Sequence, residues 1–190
     1  MPRKAVIALL LFASFTSPVS HAQTEERNAG RQSYESCGLI TSEYVTVLQL
    51  ISRGFDPETL KQSLPEISSE AAKRIDALFT MAQNEGLIDS YSTINSEYAN
   101  CAKQVYDATG LPPRGSREAA FHACAGENKV GYEITIAALV GAEESDILEQ
   151  LDSRHRDRAR TIFQAFESGG RLSIFDTLAT ELKRCIASAS

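Results

Sequence analysis

The chain carries one pattern of cysteines, glycines and apolar residues twice, and this constrains its fold more than any other feature. Cys37 and Cys101 recur as Cys124 and Cys185, at an offset of 87 for the first cysteine and 84 for the second. Under the first offset Gly54 falls on Gly141, Leu64 on Leu151, Ile75 on Ile162 and Phe79 on Phe166. Under the second, Gly86 falls on Gly170, Ile88 on Leu172, Tyr91 on Phe175, Ile94 on Leu178 and Tyr98 on Leu182. Structural positions match while polar surface positions do not, as in two copies of one packing solution. The repeat predicts architecture and is nearly silent on chemistry.

Within each copy the apolar spacing is helical, and no stretch shows the period-two alternation of a half-buried strand. Ile40, Tyr44, Val47, Leu48 and Ile51 share one helical face that Gly54 ends. Asp56-Pro57 pairs an N-capping acid with a proline in the first turn. The short helix it opens runs to Leu64 and stops at Pro65. Ser68 or Ser69 caps a third helix that buries Ala71, Ile75, Leu78, Phe79 and Ala82. Gly86 ends it, with the left-handed backbone common at helix C-termini. A fourth helix carries Leu87, Tyr91, Ile94, Tyr98, Cys101 and Val105.

The Gly- and Pro-rich segment 109–115 is the strongest break and joins module 33–108 to module 116–190. In the second module Ser116 caps a helix toward Val140. The short helix is Glu143 to Leu151, the third Arg154 to Ser168 and the last Leu172 to Ile186. Gly126 and Gly131 each cost that first helix about 1 kcal/mol against alanine, which suggests close helix contact between the copies. The predicted fold is all-α: two tandem modules of about four helices, each closed by one disulfide.

Residues 1–22 have the pattern of a secretory signal. Arg3 and Lys4 precede the apolar run from Ala5 to Phe15, and Ser20-His21-Ala22 offers small residues where a signal peptidase reads. Cleavage is expected before Gln23, followed by a polar lead-in to residue 32. The run is shorter than the ~20 apolar residues of a membrane span, so no stable anchor is expected. The remaining chain has 17 Lys+Arg against 25 Asp+Glu, a net charge of −8, which argues against nucleic acid and anionic membranes as partners. With 43% hydrophobic residues the chain can build a core.

An even cysteine count in an exported chain reads as disulfides. Of three possible pairings the repeat selects Cys37–Cys101 and Cys124–Cys185. Each would close a loop of about 65 residues and stabilise by roughly 4 kcal/mol on the chain-entropy model. No Cys-x-x-Cys is present, and no metal or cofactor is expected.

The basic run Arg154, His155, Arg156, Arg158 and Arg160 is a candidate docking patch for phosphate, carboxylate or an acidic partner, set against a solvated helix face neutralised by neighbours such as Glu149 and Asp152. Tyr34 and Tyr106, near the ends of the first module, are candidate interface anchors. Tyr91 and Tyr98 read as core. His122 stands two residues before Cys124, but the repeat's disulfide claims that thiol, so no Cys–His nucleophile is expected. Acidic pairs such as Glu143 with Asp146 are common on acidic helices and single out no acid and base.

The sequence thus predicts a periplasmic or secreted, non-catalytic protein that docks another exported protein. Two alternatives remain. One is a carrier of a small apolar or amphipathic ligand between the modules, lined by Gly126, Gly131 and nearby aromatics. The other is a hydrolase using helix carboxylates.

Overall fold

Helix caps written in the sequence set the element boundaries in a computed structural model, which describes residues 32–64 and 66–190. The signal segment, the lead-in before residue 32 and the stop at Pro65 lie outside the described residues. Helix α1 is Tyr34–Ser52. Ser33 and Ser36 form a capping box, each side chain accepting from the other's backbone N–H. Helix α2 is Pro57–Ser63. Its cap, Asp56, accepts from the Thr59 N–H at 2.9 Å and from the Thr59 hydroxyl, and these bonds hold the carboxyl below its ordinary pKa. Helix α3, Ser69–Glu85, starts at Ser68, which accepts from the Ala71 N–H. Helix α4 is Leu87–Thr109.

The same order follows the linker. Helix α5, Arg117–Leu139, is capped by Ser116, and α6 is Glu144–Gln150. A single 3₁₀ turn, Ser153–His155, leads into α7, Arg156–Ala189. The predicted start of the third helix at Arg154 therefore moves to Arg156, because Asp152 caps the 3₁₀ turn through the Arg154 N–H. Helix α7 breaks at Gly170 into two arms, and Gly170 is the repeat counterpart of Gly86. Gly86 has φ 85° and ψ 160°, and Gly170 has φ 71° and ψ −162°. Both lie in a region open essentially to glycine alone. Each residue thus acts as a hinge between two helices. The expectation of a left-handed terminator at Gly86 holds for the sign of φ and not for ψ.

Cys37 and Cys101 are bonded with α-carbons 5.9 Å apart, and Cys124 and Cys185 with α-carbons 5.7 Å apart. No described cysteine is free. Residues Gln32–Ser190 cluster as one compact unit. Helices α1 and α5 touch each other, and each packs against both α4 and α7. Side chains of the two halves meet directly. Tyr91 stacks on its own counterpart, Phe175, with ring centroids 5.4 Å apart and planes 11° from parallel. Gln49 of α1 donates to the Asp176 carboxylate at 2.6 Å and lies 3.4 Å from the Thr180 hydroxyl. Tyr132 of α5 bonds Ser92 at 2.9 Å and Ser96 at 3.2 Å, the counterparts of Asp176 and Thr180. The Tyr91–Phe175 stack joins equivalent positions, whereas Gln49 corresponds to Ile136 and Tyr132 to Val45, so the polar contacts are not exchanged between the halves.

The core spans both halves. Val45, Leu48, Tyr91, Phe121, Ile162, Ile174 and Phe175 are fully buried. At the junction Gly38 lets α1 approach closely. A Cβ there would stand 2.6 Å from the Ile186 Cδ1 and 3.2 Å from the Phe121 ring. No described helix is long and apolar enough to cross a membrane. The two disulfides point to an oxidising compartment outside the cytoplasm.

Candidate functional site

The basic run does not form a patch. Helical spacing turns His155 and Arg158 inward. His155 is buried, with Nδ1 3.6 Å from the Glu127 carboxylate. The Arg158 guanidinium lies between two acids, 2.9 Å from Glu127 Oε2 and 2.8 Å from Glu181 Oε2, and it donates to the Glu127 carbonyl at 2.6 Å. Its alkyl chain passes over Gly131, whose missing Cβ would lie 3.6 Å from the Arg158 Cδ. The remaining arginines stay outside. Arg160 pairs with Asp157 at 2.7 Å, Arg154 stands 3.9 Å from Asp152, and Arg156 donates to the Leu151 carbonyl. Of the expected docking surface, His155 and Arg158 turn inward and hold α5 against α7, while Arg154, Arg156 and Arg160 stay exposed.

Tyr34 is also corrected. It is 2% exposed and belongs to the contact between the halves, not to a surface. Its amide donates to Glu118 of α5 at 2.8 Å, its hydroxyl donates to the Gly110 carbonyl, and its ring meets His122 edge-on at 4.8 Å. Burial, with Tyr106, Glu118 and Asp107 nearby, raises the Tyr34 phenol above its ordinary pKa. Tyr106, by contrast, is 48% exposed. Cys124 is bonded to Cys185, so His122 has no thiol beside it.

Two concave features of comparable size remain. A crevice of about 310 Å³ runs between α4 and α5, where the two halves meet. Ala99, Ala102, Tyr106, His122 and Gly126 line it, and Lys103 and Lys129 flank it. Each lysine is already paired one turn along, with Asp107 and Glu133. Gly126 lines this crevice, with nothing within 4 Å of a Cβ built there. Gly131 does not belong to it. Its close contacts are Leu178 and Arg158, both in the second half.

The second feature is a groove of about 270 Å³ in the first half, walled by α1, α3 and α4. Ile40 and Tyr44 of α1, Leu78 and Met81 of α3, and Ile94 and Glu97 of α4 line it, with the Cys37–Cys101 disulfide below. Ile40 is 46% exposed, a large side chain left half in water. Glu97 forms no ion pair among the described residues. The nearby Arg74 is committed to Glu43, with two contacts at 3.1 Å.

Sequence reasoning missed this groove because its apolar walls read simply as core faces. A comparison of the repeats position by position would have found it. Ile40, Tyr44, Ile94 and Glu97 correspond to Glu127, Gly131, Leu178 and Glu181, the surroundings of Arg158. Arg158 itself corresponds to Ala71. The site is filled in the second half by an arginine and open in the first.

No group of three or more described His, Cys, Asp or Glu side chains is placed to hold a metal ion. No protein-family model, curated protein or solved structure matches the chain.

Proposed function

We propose that this is an exported, non-catalytic binding protein that docks another protein through the groove between α1, α3 and α4. The open groove itself carries the reading. It presents Ile40, Tyr44 and Met81 over the buried Leu78 and Ile94, on a scaffold cross-linked by Cys37–Cys101. A scaffold held by a disulfide loses little freedom when its surface is covered, which favours binding. Export is the reading of residues 1–22 that accords with two disulfides. N-terminal sequencing of the exported protein should begin at Gln23, and a retained Met1 would overturn that part.

Photo-crosslinking tests the docking surface. A photoreactive residue at Ile40 or Met81 should give one discrete adduct in producing cells, and the same residue at Val140 should not. Val140 is the control because it is 78% exposed and lies outside the groove. Equal labelling at all three positions would sink the proposal.

The carrier reading keeps one observation, the α4–α5 crevice with Gly126 on its wall. Ligand sites commonly enclose most of the ligand within roughly 300–1,000 Å³. At about 310 Å³ and open along its length, the crevice suits a small, part-exposed guest. Mass spectrometry of gently purified protein separates the two readings, since a co-purifying apolar molecule would favour the carrier.

A further inference from the structure

The geometry points to an arginine of the docking partner as the group the groove receives, its guanidinium on Glu97 and its alkyl chain across Tyr44 and Ile40. This rests on the docking reading above and names the chemistry of the partner. The warrant is internal to the molecule. In the second half the matching place is occupied by Arg158. Its Nε lies 2.8 Å from Glu181, the counterpart of Glu97, and its methylenes cover Gly131, the counterpart of Tyr44. The first half keeps one of the two carboxylates, since Ile40 stands where Glu127 would, and it loses the arginine, since Ala71 stands where Arg158 would.

A carboxylate beside an apolar trough suits arginine better than lysine. The planar guanidinium can form two parallel bonds to Glu97 and stack on an aromatic face, here the ring of Tyr44. The stem is apolar enough to lie along Ile40 and Leu78 while its head stays at the rim. Two further features favour an outside donor. Of the two cations on α3, Lys73 and Arg74, the latter is already held by Glu43. The chain's net charge of −6, or −8 without residues 1–22, attracts basic segments generally.

The test is a random peptide library panned against the full chain, with the selected peptides measured on variants by fluorescence anisotropy. Peptides seated in the groove are defined by their loss on I40E. These should carry an arginine among apolar residues. They should bind E97Q at least about tenfold more weakly than wild type and E97K more weakly still. They should also lose affinity when that arginine is replaced by lysine. A71R, which restores the arginine of the second half, should release them, and A71R combined with E97Q should release them less completely. Glu97 is exposed, so its variants should melt as the wild type does. Groove-seated peptides indifferent to E97Q and E97K would overturn this inference and leave the docking reading standing. Selected peptides unaffected by both I40E and A71R would overturn both.

Discussion

Buried phenols dominate at the scale of single residues. Tyr91 and Tyr98 are almost fully enclosed, and neither hydroxyl has a partner among the described residues. Burial pushes both phenols above the ordinary pKa of 10.0, assisted at Tyr91 by Asp176. The unfolded chain releases these protons first, so the stability they contribute is complete below about pH 10 and is lost as pH rises beyond it. Ultraviolet titration should show these phenols ionising together with loss of the helical circular dichroism. Y91F, which copies the residue Phe175 at the matching place, should move the alkaline transition upward with little or no cost at neutral pH, because an unsatisfied hydroxyl is removed.

Glycines give the opposite pair of outcomes on one helix. G126A adds a methyl to open space and should stabilise by up to about 1 kcal/mol through helix propensity. G131A would set a Cβ 2.8 Å from the Leu178 Cδ1, so packing strain offsets that gain and the variant should be neutral or less stable. Denaturant midpoints decide both. Composition alone treats Gly126 and Gly131 alike, and the sequence reading did so. What separates them is which face of α5 each occupies, and that depends on where α7 packs. Tyr34 was misjudged for the same reason. A tyrosine at a helix start reads as an anchor for a partner, and the partner is α5 of the same chain.

The helices themselves were mostly legible, because their start and stop signals are local. Ser33, Asp56, Ser68 and Ser116 all act as caps. What no local pattern revealed is that α1 is also capped from outside: Glu118 in the first turn of α5 accepts from the amides of Tyr34 and Glu35, at 2.8 and 3.4 Å. Arg117 returns the contact to Glu35 at 2.6 Å. The first turns of α1 and α5 are therefore one electrostatic unit, with acidic groups at a helix N-terminus where the dipole favours them. The hinges between α3 and α4 and between the arms of α7 belong to the same scale. A side chain at Gly86 or Gly170 must enter a backbone region that costs on the order of 1–3 kcal/mol. G86A and G170A should each lower stability by that amount in chemical denaturation, although a built Cβ meets nothing within 4 Å at either place. A loss much below 1 kcal/mol would show that the hinge relaxes freely.

For the molecule as a whole, the pairing of four cysteines was legible because the repeat supplied a register, and the contacts between the halves were not. The stacking of Tyr91 on Phe175 joins positions that the sequence only shows to be equivalent. Equivalence in a repeat does not say that two residues touch. The groove was hidden for a related reason, since the open site and the filled one differ at positions scattered along the chain, Ile40 for Glu127, Tyr44 for Gly131 and Ala71 for Arg158. The two disulfides, spanning 64 and 61 residues, should therefore be alike in stability and unlike in function. Each loop predicts roughly 4 kcal/mol of stabilisation on the chain-entropy model. C37A/C101A and C124A/C185A should both shift the denaturant midpoint downward by similar amounts. Cys37 and Cys101 line the open groove, whereas the Cys124–Cys185 bond lies in the other half of the chain. Peptides that seat in the groove should thus lose affinity for C37A/C101A and keep it for C124A/C185A, measured by fluorescence anisotropy well below either unfolding transition. Equal losses for the two variants would mean that the recognition surface extends across both halves.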